Sequence, residues 1–106
     1  MPQKIHKIAI ITDDIEGAVQ FYTQKLGLTL VERFPNEGDE DYVFLDAGGI
    51  TLELMPQKTM GQEPGFHHIS FAVDSVEESI QELKDKDVKI TKEPFDVGSG
   101  ITLGFF

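Results

Sequence analysis

Two histidines stand side by side in the stretch PGFHHISFAVDS, residues 64–75, and imidazole is the side chain best suited to ligate a metal or move a proton near neutral pH. The segment reads as a β-strand, because His68, Ser70 and Ala72 alternate with Ile69, Phe71 and Val73. Neighbouring strand residues point to opposite faces, so His67 and His68 cannot both face one cavity. The chain contains no cysteine. That removes disulfides, thiolate nucleophiles and thiolate metal sites, and leaves His, Asp, Glu or water as the ligands of any metal.

The elements that must position these groups follow from patterning. IHKIAIIT (5–12) is rich in β-formers. DDIEGAVQFYTQKLG (13–27) carries Ile15, Ala18, Val19, Tyr22 and Leu26 at helical spacing, between an opening Asp and a closing Gly27. LTLVERF (28–34) and DYVFLDA (41–47) read as strands on either side of the acidic run NEGDED (36–41), and Gly48-Gly49 is a hairpin signal leading into ITLELM (50–55). After the loop 56–65 comes the histidine strand, then a helix from Ser75 with Glu78 in capping-box position, VKI (88–90), a Pro/Gly-containing loop, and ITLGFF. Phe21 and Tyr22 fall on or beside the first helix's apolar stripe and read as core.

The order strand-helix-strand-strand-strand begins a second time. A shift of 61 residues aligns 7–25 with 68–86 without a gap, matching Ile8 with Ile69, Asp13 with Asp74, Glu16 with Glu77, Gln20 with Gln81 and Lys25 with Lys86. The shift pairs Lys7 with His68. We therefore expect an α+β fold of two βαβββ modules in a single domain, 1–106. The first module spans 5–56, and the second, 66–106, lacks its last strand.

Bulk properties narrow the function. A formal charge of −10 over 106 residues disfavours phosphate-backbone binding, which is built on Lys and Arg, so no nucleic-acid partner is expected. No segment approaches the ~20 apolar residues of a membrane span, and the start lacks the pattern of a cleaved signal. A cytoplasmic protein without membrane contact is expected.

The arrangement resembles the vicinal oxygen chelate superfamily, which includes glyoxalase I, methylmalonyl-CoA epimerase, extradiol dioxygenases and bleomycin-resistance proteins. The resemblance rests on IAIITDDIEGAVQFYTQKLGLTL, on ITLELMP after the GG turn, and on GFHHISFAVDS. It implies paired modules curling around a concave cavity, and usually a homodimer. In metal-dependent members it further implies four inward-facing ligands, on the first, fourth, fifth and eighth strands. Carried onto this chain, the third ligand falls on His68 and not on His67. The second falls on Glu53, which shares a strand face with Thr51 and Met55, while Ile50, Leu52 and Leu54 face the helix side.

The chain departs from that pattern at the first position, where Lys7 stands in place of a histidine. A protonated lysine has three donors and no lone pair, so it cannot ligate unless its pKa falls a long way, and Lys7 is expected to occupy the metal's place as a cation paired with Glu53. His6 is adjacent but turned to the other face unless a bulge re-aims it. The fourth ligand would lie beyond Phe106, and we expect the chain to be an incomplete form of a longer protein. Two functions follow from the resemblance. In the first, a divalent ion (Ni, Zn, Mn or Fe) on His68 and Glu53, in an atypical site, helps remove a proton α to a carbonyl, as in lactoylglutathione lyase or methylmalonyl-CoA epimerase. Glu53 and Lys7 are then the catalytic candidates. In the second, no metal is held and the cavity sequesters a small molecule, as bleomycin-resistance proteins do.

Overall fold

Alternating apolar residues in KIHKIAIIT form β1 (Lys4–Thr12), the strand around which the larger sheet is built. The computed structural model describes residues 4–98 and 100–106. The elements after β1 are α1 (Ile15–Gln20), β2 (Thr29–Phe34), β3 (Tyr42–Asp46), β4 (Thr51–Pro56), α2 (Gln57–Met60), β5 (Gly65–Ala72), α3 (Val76–Asp85), β6 (Lys92–Gly98) and β7 (Ile101–Phe105). The chain divides into two compact units, Ile5–Ser70 and Phe71–Phe106, the latter joined by Lys4. No helix among the described residues is long and apolar enough to cross a membrane.

The first unit centres on a five-stranded sheet in the order β2-β3-β4-β1-β5, with β1 and β4 parallel and β2-β3-β4 antiparallel. Strand alternation gives the sheet two different faces. On one, Val43, Leu45 and Leu54 are buried with Ile15, and Ala18, Val19 and Tyr22 of the helical segment pack against them. On the other, Ala9, Ile11 and Met55 form a second cluster, closed by Tyr42 and Met60. Asp14 caps α1 by accepting the Gly17 N–H, and Glu40 adds a bond from the Ile15 N–H at 3.0 Å. Both satisfy donors that a helix start leaves open. Gly48 and Gly49 take φ of 85° and 94°, the left-handed pair a tight hairpin needs.

Four local readings need correction. Past Gln20 the first helix widens into a π-helical turn, Phe21–Lys25, where the Thr23 hydroxyl bonds back to the Val19 carbonyl at 2.7 Å. Phe21 is half exposed and only Tyr22 joins the core. The stretch after β4 contains the single-turn helix α2, whose Met60 covers one end of the second face. VKI is not a strand, because the Val88 N–H is bonded to the Leu83 carbonyl at the end of α3. The strand lies instead at Lys92–Gly98, and its proline is tolerated because the β6–β7 register shifts between Lys92 and Phe95.

In the second unit β6 and β7 pair antiparallel beside α3, which is capped by Ser75 accepting the Glu78 N–H. Gly104 lets the hairpin approach the helix: a Cβ there would stand 3.1 Å from Ile80 and 3.2 Å from Val76. The strand count is that of a βαβββ module followed by a second one lacking its last strand.

Candidate functional site

Strand register builds the site. Lys7 lies opposite Thr51 and Ala9 opposite Glu53 in the β1–β4 pair, so Lys7 and Glu53 are diagonal neighbours on one sheet face. Phe44 lies directly across from Glu53 on β3. Lys7 Nζ sits 2.8 Å from Glu53 Oε1 and 5.3 Å from the centre of the Phe44 ring. Glu53 is only 7% exposed, the one buried charged residue among the described residues. Its Oε1 is buried and receives no hydrogen bond of good direction, so the contact with Lys7 is an ion pair held by charge. A carboxylate taken out of water needs such a partner.

His68, on β5 beside β1, completes the group. Its imidazole is held below the usual histidine range, chiefly by burial and also by the neighbouring His67 and by Lys7, against the opposing pull of Glu53. Phe44, Glu53, Lys7 and His68 thus come from four neighbouring strands, β3, β4, β1 and β5. The His67 ring turns to meet His68 edge-to-face, with the two Nδ1 atoms 2.6 Å apart, so one nitrogen carries the proton and the other accepts it. His67 is therefore not simply turned away, as alternation alone implies; it orients its neighbour's ring. His6 is exposed on β1, one residue out of step with Lys7.

The acidic run around this face is not merely solvated. Asn36 Nδ2 donates to the Thr59 hydroxyl at 2.6 Å, and that hydroxyl donates to Asp39, whose carboxyl it holds below the ordinary range. Glu40 caps α1, and Asp41 accepts from Arg33 at 2.9 Å while Arg33 also pairs with Glu16. The run therefore ties α1, β2 and α2 together beside the Tyr42–Met60 end of the face. Sequence reading missed this role, although an Asn and four acids between two strands was its signal.

A divalent ion fits this donor set poorly. Among the described residues no three His, Cys, Asp or Glu side chains are grouped to hold a metal. Glu53 and His68 supply two candidate ligands, and the Lys7 ammonium is already against the first. A dication about 4 Å from that ammonium would be repelled by about 8 kcal/mol at an effective dielectric of about 20. A cavity of about 320 Å³ lies in the other unit, between Asp74 and Ser75 at the start of α3 and Ile101 and Thr102 of β7. It contains none of the candidate residues.

Residues 4–106 match the model of the Glyoxalase/Bleomycin resistance protein/Dioxygenase superfamily. The chain belongs to that superfamily. Its relatives include the uncharacterized protein YwkD of Bacillus subtilis, 30% identical over 98% of this chain and 88% of that protein. Human mitochondrial methylmalonyl-CoA epimerase is 27% identical over 91% of this chain, which spans 61% of the epimerase's length. The fold is shared with a hypothetical protein from Bacillus halodurans C-125, with a TM-score of 0.79 and 27% identity, covering 95% of this chain and 81% of that one.

Proposed function

We propose that this protein binds a small carbonyl compound of the acyl-thioester class against the Lys7–Glu53 face and exchanges the proton on the carbon α to the carbonyl. The observation that carries this reading is a buried carboxylate paired to a lysine on a sheet face, with a neutral imidazole alongside. Similarity to methylmalonyl-CoA epimerases adds the substrate class. Superfamily members often use a divalent ion for this chemistry, but the donor set here does not suit one.

Proton removal α to a carbonyl needs a base at the carbon and positive charge where the enolate oxygen forms. Glu53 is the base: the Lys7 ammonium lies against its carboxylate, and burial strips it of competing water. The Lys7 ammonium, held beside Glu53 by charge, has N–H donors to offer the substrate carbonyl oxygen. As the proton moves to Glu53, the charge on the carboxylate disappears and reappears on the substrate oxygen, so Lys7 keeps an anionic partner throughout. Return of the proton from Glu53 to carbon restores the site. A neutral His68 places no second positive charge beside the ammonium.

The test follows methylmalonyl-CoA and related acyl-CoA thioesters in D2O by proton NMR with the protein as purified. Loss of the α-proton signal, slowed roughly 100-fold or more by Glu53→Gln, is the expected result. Saturable binding without exchange would overturn the proton-transfer reading in favour of a ligand-sequestering protein like the bleomycin-resistance members.

A further inference from the structure

We propose that the Lys7 ammonium is the resident cation of this site, occupying the position between Glu53 and His68 that a divalent ion would need, so that the protein works without a metal. The inference concerns the occupant of the site and stands whichever carbonyl compound binds there. It rests on strand order. Glu53 is on β4 and His68 on β5, and β1, which carries Lys7, is the strand between them. An ion bridging the two ligand-type side chains must sit over β1, on the face from which Lys7 projects.

The ammonium is held there rather than passing through. Glu53 Oε1 is 2.8 Å away on one strand and the Phe44 ring, one strand further, offers its π-face at 5.3 Å. On the other side of β1 lies β5, which carries His68. Alkyl packing is provided along the same face by Ala9, which is fully buried. A cation attached to the backbone differs from a bound ion in two ways: chelators cannot remove it, and it offers donors instead of empty coordination positions. Across β4, β1 and β5, Lys7 stands between two side chains of ligand type. Replacing it with an imidazole would place three ligand-type side chains, the number common in catalytic metal sites, on adjacent strands.

The experiment loads the wild-type chain and Lys7→His separately with Ni, Zn, Mn and ferrous iron, dialyses them, and measures metal by plasma mass spectrometry together with the melting temperature. For wild type we expect roughly a tenth of an equivalent or less and an unchanged melting temperature, and for Lys7→His close to one equivalent and a raised one. About one equivalent in wild type, lost in Glu53→Gln and His68→Gln, overturns the proposal. Retention of nothing by a folded Lys7→His also overturns it, because Lys7 would then not stand in a metal's position. Should Lys7→His fail to fold, Lys7→Gln removes the charge while keeping a polar chain of similar reach. Calorimetric titration with Zn or Mn is then expected to give binding at least about tenfold tighter than wild type, and equal binding overturns the inference. Failure of the deuterium experiment would leave each of these outcomes unaffected.

Discussion

Lys7–Glu53 and Lys84–Glu93 are ion pairs of the same length, 2.8 Å, one in each compact unit. Their surroundings set them apart. The side chains of the first pair keep 23% and 9% of their exposure, those of the second 42% and 63%. The first lies between strands, with buried Ala9 opposite Glu53; the second joins the end of α3 to β6 over the surface. Water and salt screen the exposed pair, whereas the dehydrated pair feels nearly its full attraction and also bears the cost of leaving water. Separation alone therefore says little about what a charge can do. The carboxylate least exposed to water is the one set into the sheet.

The largest expected effect is that of Lys7→Met, which leaves a buried carboxylate without its cation. Breaking a fully buried pair costs ~3–5 kcal/mol, and the partial exposure of Lys7 lowers the expectation to about 2–4 kcal/mol in urea denaturation. A loss below about 1 kcal/mol would place this pair in the same class as the surface one.

A middle effect is expected on acidification. Burial, His67 and Lys7 hold the folded-state value of His68 below that of an unfolded histidine, about 6.5. The unfolded chain thus takes up the proton first, and stability is lost as pH falls from about 6.5 through the lower folded value. Stability measured against pH should fall less steeply below that point in His68→Gln than in wild type. Identical slopes would mean that the imidazole does not feel this environment.

The smallest effect belongs to Lys84→Ala, expected to change stability by about 0.5 kcal/mol or less, with the wild-type value itself drifting little in high salt. A loss several times larger would show that the exposed pair is held by more than its charges.

These contrasts bear on how much was legible beforehand. Face assignment was legible, because strand alternation fixes it: Thr51, Glu53 and Met55 share one side and Leu52 and Leu54 the other, as the packing of β4 bears out. The Gly-Gly hairpin and the Ser75 cap were legible because each has a local cause in backbone chemistry. What escaped depended on contacts distant in the chain. Pro94 argued for a loop, but a register shift against β7 absorbs it, and no window around residue 94 contains that partner. The π-helical turn turns on a single hydroxyl, that of Thr23. Asp39 and Glu40 looked like solvated charge because their partners, Thr59 and the Ile15 N–H, lie 20 and 25 residues away. At the site, residue types, faces and the pairing of Lys7 with Glu53 could be read, but the His67–His68 contact required the folded sheet and its side-chain rotamers.

The most direct test of the dehydrated pair is a double-mutant cycle, with Lys7→Met, Glu53→Leu and the combined variant unfolded in urea beside wild type. The account predicts that each single change is costly and that the second largely restores stability, giving a coupling energy of about 2 kcal/mol or more. Additivity within about 0.5 kcal/mol would contradict it, since Lys7 and Glu53 would then be near one another without depending on one another.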